Sequence, residues 1–160
     1  MFRSTFKISA FVFVLLLAGS AFPQKGVDTT PKSTLIDATA LLDDIRILSN
    51  DDMEGRSAAN PSMQKARDYV QRRFRESGIS TLNPTYDQEF QIKTKGTTLR
   101  GVNFVGIIKG SKNPENYIIM TAHYDHLGIR NGAIYNGADD NASGTAALFA
   151  LAKAFKKERP

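Results

Sequence analysis

The chain has 160 residues, no cysteine and a formal charge of +5. Without cysteine it can form no disulfide and offers no thiol for lipid attachment. Two groups of its basic residues lie on predicted helices, mixed with acidic ones, and do not form a nucleic-acid-binding pattern with aromatic side chains. This composition is that of solvated helix faces and argues against nucleic-acid binding.

The first 21 residues have the order of a secretory signal peptide. Two basic residues precede an apolar run at residues 8–18, and small residues follow at 19–21. The run is well short of the roughly 20 residues that span a bilayer. We expect cleavage near Ala21, a flexible mature N-terminus over residues 22–33, and a secreted or periplasmic protein that keeps no membrane anchor.

Two helices are predicted at the start of the mature chain. Asp37 is the predicted N-cap of a first helix that runs to about Ser49. Residues 50–56 interrupt the pattern and are interpreted as a capped turn, with an approach to a substrate cleft as the second interpretation. Asn60 caps a second helix and Gly78 ends it. The apolar stripe of this helix is Met63, Ala66, Val70 and Phe74.

Strand patterns follow the second helix. Alternation over residues 86–92 predicts a half-buried strand, and a second strand at 102–108 is expected to pair with it antiparallel. The continuous apolar run 117–122 is typical of a central strand buried on both faces. A last helix from about Ser143 is expected to bury Leu148, Leu151, Ala152 and Phe155. Strand, long loop and helix form the unit of an α/β sandwich, whose ligand site follows the strand's carboxyl end.

Residues that can bind a metal gather in that long loop. His123 and Asp125 follow directly on the predicted central strand, and their spacing places both on one side of the backbone. An imidazole is a good zinc ligand when an acceptor holds its other ring nitrogen, and Asp125 could be that acceptor or a direct ligand. Residues 137–144, Gly-Ala-Asp-Asp-Asn-Ala-Ser-Gly, place Asp139 and Asp140 at the start of the last helix. Adjacent acids without a basic partner indicate a cation site.

These segments resemble metallopeptidase family twenty-eight, the co-catalytic zinc exopeptidases that include aminopeptidase Y and bacterial leucyl aminopeptidases. The resemblance rests on residues 122–128 and 135–144, is supported by 101–106 and 52–56, and extends over about residues 37–160. It implies an α/β fold, a three-layer sandwich with a mixed central sheet. Residues 34–160 would be the N-terminal part of such a catalytic domain.

The resemblance also implies roles for individual residues. His123 and Asp139 would bind zinc, with Asp139 bridging the two ions of the complete domain. Asp125 would orient the His123 imidazole, and a cis peptide would join Asp139 to Asp140. His126 is expected to be a loop residue near the site. The implied reaction is attack of water on the N-terminal peptide bond of a peptide or protein substrate.

The general base and three further ligands of such enzymes have no counterpart up to Pro160, so the resemblance implies a truncated chain that is inactive alone. Two alternatives share the fold: a glutaminyl cyclase-like single-zinc enzyme and a non-catalytic receptor-like binding module. In the cyclases a Ser usually follows the metal-binding Asp, whereas Asp140 follows Asp139 here. An intact His123 and Asp139 count against the receptor-like module. Aminopeptidase activity is favoured over carboxypeptidase or dipeptidase activity by resemblance alone.

Overall fold

The computed structural model describes residues 33–94 and 96–159, so the predicted signal peptide lies outside the described residues. These described residues include three α-helices: α1 (Ala38–Leu48), α2 (Met63–Ser77) and α3 (Ser143–Glu158). The predicted cap of α1 is confirmed, because the Asp37 carboxylate accepts from the backbone N–H groups of Thr39 and Ala40. Within the described ranges no helix has the length and apolar character that crossing a bilayer requires.

The second helix begins later than predicted. Asn60 does not cap it directly; its side-chain oxygen accepts from the backbone N–H of Ser62 at 3.0 Å in a turn that precedes Met63. The predicted end is confirmed, since Gly78 terminates α2 in the left-handed conformation that glycine adopts without a Cβ clash.

The strands form three two-stranded antiparallel sheets in the described part of the chain. The predicted antiparallel pairing is confirmed in β2 (Asp87–Thr94) and β3 (Thr97–Phe104), but the bounds of the second strand, predicted at 102–108, are wrong. The remaining strands, unpredicted or only partly predicted, are short: β1 (Ser80–Thr81) pairs with β4 (Gly106–Ile107), and β5 (Gly128–Arg130) pairs with β6 (Ala133–Tyr135). The β5–β6 hairpin lies inside the loop predicted to carry the chemistry.

The prediction of a buried central strand at residues 117–122 is wrong for the described structure. No strand is present there, and Tyr117, Ile118 and Ile119 are 72%, 87% and 84% exposed. An apolar run becomes a central strand only when other strands flank it and helices cover both faces. Among the described residues no strand pairs with this segment. Helices with small antiparallel sheets are compatible with an α/β class.

The core lies where the three helices meet the 51–56 turn. Its buried members are Leu48, Met53, Met63, Ala66, Tyr69, Val70, Ala142 and Phe149. Complete burial of a side chain such as Phe149 contributes about 1.5–3 kcal/mol. The predicted inner face of α3 is wrong: the helix buries Thr145, Ala146, Phe149 and Ala154, and the predicted four are only half-buried. Because α3 is apolar around most of its circumference, packing and not periodicity selects its buried face.

Candidate functional site

Two segments of irregular backbone carry the predicted site residues. The His123 loop, residues 123–127, precedes β5, and the Asp140 turn, residues 136–142, precedes α3. Helix α3 ties them together, because the buried Thr145 hydroxyl donates to the backbone oxygen of His123 at 3.0 Å. Tyr124 anchors the loop from its other side by donating to the Val102 oxygen at 2.7 Å. Both segments are therefore held against elements that belong to the core.

The side chains of the two segments meet at Asp140. One of its carboxylate oxygens, Oδ1, lies 3.1 Å from His123 Nε2, and Oδ2 lies 3.5 Å from His126 Nδ1. On the far side of the His123 ring, Nδ1 is 3.1 Å from the Asp125 backbone oxygen and 3.6 Å from its Oδ1. Asp140 is 69% exposed, whereas His126 is 11% exposed. The His123 side chain is also 54% exposed, so the cluster is open to solvent at Asp140 and His123 and is closed only behind His126.

The contacts of His123 constrain what can lie between it and Asp140. If Nδ1 carries its proton toward the two Asp125 oxygens, then Nε2 of the neutral ring presents a lone pair. That lone pair faces the Asp140 Oδ1 acceptor at 3.1 Å. Two acceptors at this distance repel one another unless a proton or a metal cation lies between them. In this tautomer the pair favours a cation, and Asp125 is placed to orient the ring; with the proton on Nε2 the same contact is a histidine–aspartate hydrogen bond.

The structure brings Asp140, and not Asp139, to the imidazoles. For Asp139 the structure gives a backbone contact: its carbonyl oxygen accepts from the Ser143 hydroxyl at 2.9 Å. The cis peptide predicted between Asp139 and Asp140 is wrong by one residue, because the cis bond joins Asp140 to Asn141. Adjacent acids in an irregular turn point in different directions, so the residue types alone do not decide which one faces His123. The metal-binding role assigned to Asp139 stays a prediction.

Gly137 explains how the turn approaches the loop so closely. Its φ of +56° is in the left-handed region. A Cβ at this position would lie 2.4 Å from the Asp140 backbone oxygen and 2.6 Å from the His126 ring. Any side chain would therefore push the turn away from the imidazoles.

Arg56 is a residue of the site that the sequence reasoning missed. It was treated as part of a capped turn, and the turn is indeed capped, by Asn50 through the Asp52 N–H. Yet the guanidinium is fully buried and donates to backbone oxygens of Tyr124 and Gly137, one in each site segment. Burial lowers the pKa of Arg56, and the charges of Asp125 and Asp140 offset part of that shift. The sequence did offer one signal for this role, namely a basic residue in segment 52–56, which supports the family resemblance.

The donors present fit one corner of a zinc site. Two ligands at 2.0–2.1 Å from a tetrahedral zinc are separated by roughly 3.3 Å, close to the 3.1 Å between His123 Nε2 and Asp140 Oδ1. Zinc sites use at least three protein ligands. Within residues 33–94 and 96–159, no group of three or more His, Cys, Asp or Glu side chains is arranged to hold a metal ion. The described residues thus account for part of a donor set.

Comparisons with known proteins agree with this chemistry. Residues 103–160 match Peptidase family M28. A protein of Leptosphaeria maculans that bears the name probable zinc metalloprotease is 40% identical over 62 residues, which is 36% of this chain and 14% of that relative. The chain therefore spans a small part of the relative's length. No solved structure matches the chain significantly.

Proposed function

We propose that this chain, whose residues 103–160 belong to peptidase family M28, carries the first part of the zinc site of a peptidase. The observation that carries the proposal is the 3.1 Å approach of His123 Nε2 to Asp140 Oδ1, with Asp125 behind the ring. This pair would bind zinc through one imidazole and one carboxylate. In such sites zinc supplies polarisation of a carbonyl and activation of water.

Each residue of the chain has a distinct part in this proposal. His123 and Asp140 would be ligands, and Asp125 would hold the ring so that Nε2 points at the ion. His126, close to the other oxygen of Asp140, would hold that carboxylate in place. Asp140 takes the ligand role that the resemblance assigned to Asp139, because Asp140 is the acid in contact with the imidazoles.

The finer activity is proposed from the resemblance: an aminopeptidase that hydrolyses the N-terminal peptide bond of peptides or proteins, with two zinc ions, outside the cytoplasm. Two donors are too few to hold zinc firmly, so further ligands and a general base would come from other parts of the whole protein. The exposed apolar residues 117–119 are consistent with a segment that other strands cover. The 160-residue chain alone is expected to be inactive.

The test is hydrolysis of leucine 4-nitroanilide and of an N-acetylated analogue by the full-length protein. We expect cleavage of the free-amine substrate only, loss of activity after treatment with a zinc chelator, and recovery when zinc is returned. His123→Ala should abolish activity, while the control Asp43→Asn, at an exposed position of α1, should retain it. Activity that survives both chelation and His123→Ala would refute the proposal.

A further inference from the structure

The Arg56 side chain contacts both segments of the candidate site. Its Nε donates to the Tyr124 oxygen at 2.8 Å, within the His123 loop. Its Nη1 donates to the Asn136 oxygen at 2.7 Å and its Nη2 to the Gly137 oxygen at 2.9 Å, within the Asp140 turn. A further bond joins Nη1 to the Leu48 oxygen at the end of α1. A single guanidinium therefore links both segments to the core.

The partners of Arg56 distinguish it from an ordinary buried ion pair. All four are backbone oxygens, and its exposure is 0%. In a buried ion pair, the N–H groups of a guanidinium donate to one carboxylate. The N–H groups of Arg56 donate instead to backbone oxygens of three separate segments. The negative charges of Asp125 and Asp140, two acids of the site, offset part of the effect of burial on the Arg56 pKa. The guanidinium thus holds the backbone of the two site segments and offsets negative charge of the site.

Backbone contacts of the same turn reinforce the linkage. The His126 N–H donates to the Arg56 oxygen at 3.0 Å. Gly55 has a φ of +68°, and a Cβ there would lie 2.6 Å from the Tyr135 oxygen and 2.7 Å from the Gly128 oxygen. The turn is therefore wedged between the start of β5 and the end of β6. Asp51 adds a further tie by accepting from the Asn136 amide at 2.7 Å.

We propose that Arg56 is a positioning residue, which sets the distance between His123 and Asp140 by holding the His123 loop and the Asp140 turn in one register. The expected effect on zinc affinity rests on the proposed function, whereas the expected effect on amide hydrogen exchange does not. Lysine cannot replace Arg56, because one ammonium cannot reach oxygens that a planar fork of donors contacts in several directions.

The experiment compares Arg56→Lys and Arg56→Gln with Arg73→Lys in the full-length protein. Arg73 is a suitable control because it is also mostly buried, at 11% exposure, but is paired with Asp44 and Glu76 on α1 and α2. Two quantities are measured: amide hydrogen exchange over residues 123–128 and 136–142, and the affinity for zinc alone. Thermal unfolding curves identify a temperature at which all variants are folded, and both quantities are measured at that temperature.

We expect both Arg56 variants to exchange at least about tenfold faster in the two site segments, with α1 and α2 unchanged. Zinc affinity should fall about 10- to 100-fold, the usual effect of losing a group that orients ligands. Arg73→Lys should lower the unfolding temperature but leave zinc affinity within about threefold. If wild-type protein binds no zinc while the segments still loosen, the proposed function fails and the positioning role stands.

Three results would overturn the positioning role. The first is unchanged exchange in both segments of the Arg56 variants. The second is an equal loss of zinc affinity in Arg73→Lys, which would indicate a general stability effect. The third is failure of both Arg56 variants to fold where Arg73→Lys folds, since Arg56 would then be a determinant of folding and not of site geometry.

Discussion

Replacing each of the two adjacent acids by its amide tests which one faces the metal. The substitutions Asp139→Asn and Asp140→Asn change one oxygen to nitrogen and leave side-chain shape nearly constant. Asp140 has oxygens 3.1 Å from His123 Nε2 and 3.5 Å from His126 Nδ1. Removal of its charge takes away one of the two donors that the chain is proposed to supply, whereas Asp139 meets neither ring in the described contacts.

The magnitude follows from that difference. Losing a group that only orients a ligand costs about 10- to 100-fold in zinc affinity. Losing Asp140 as a ligand should cost at least about 100-fold, or about 2.7 kcal/mol. Asp139→Asn should change zinc affinity by no more than about threefold, which is less than the smallest loss expected when a group that orients a ligand is removed.

The assay is competition for zinc between the full-length protein and a chromophoric chelator, at neutral pH. Circular dichroism and thermal melting establish that each variant is folded, so that weaker binding reports on the site. A larger loss for Asp139→Asn than for Asp140→Asn would refute the assignment and restore the role that the resemblance gave to Asp139. Equal losses would also contradict it, because they would show that neither acid is distinguished by its contact with the imidazoles.

Three further predictions concern stability. Asp44→Ala removes one of the two carboxylate partners of Arg73, at 2.6 Å, and the acceptor of the Tyr69 hydroxyl. It should lower the urea-derived free energy of unfolding by about 3 kcal/mol. Asp43→Ala, at the exposed neighbouring position, should lower it by less than about 1 kcal/mol, and similar losses for the two variants would contradict the reasoning. Gly137→Ala, at φ +56°, should lower the free energy of unfolding by about 1–3 kcal/mol and weaken zinc binding. A variant that is as stable as wild type and binds zinc as tightly would rule this out. Burial raises the pKa of Tyr124, so the stability it contributes is complete below pH about 10 and is lost as the pH rises through its folded-state pKa. Tyr124→Phe should therefore flatten the alkaline decline in unfolding free energy, and an unchanged decline would exclude this tyrosine as its source.

The helices show where sequence reasoning succeeds. The start of α1 at Asp37 and the end of α2 at Gly78 were predicted because both depend on a few adjacent residues. A carboxylate that accepts from two nearby N–H groups, or a glycine that adopts positive φ, needs no distant partner. The buried face of α3 was predicted wrongly, because a helix that is apolar on most sides is oriented by what packs on it.

The strand predictions failed for a related reason. Residues 117–122 have the composition of a central strand, but pairing is a property of two segments and not of one. In the described structure the segment is unpaired and exposed. The antiparallel pairing of β2 with β3 was predictable because neighbouring strands joined by a short turn pair in this way, whereas the start of β3 at Thr97 was not predicted.

For the site, the sequence alone identified the candidate metal ligands: an imidazole followed by a carboxylate, then adjacent acids before a helix, all within the residues that match Peptidase family M28. Only the tertiary structure decided that Asp140 is the acid that meets His123. It also revealed Arg56, whose bond to the Tyr124 oxygen joins residues 68 positions apart. The sequence gives the residue types. Which side chains come into contact depends on backbone turns and on long-range packing, and local periodicity does not predict these.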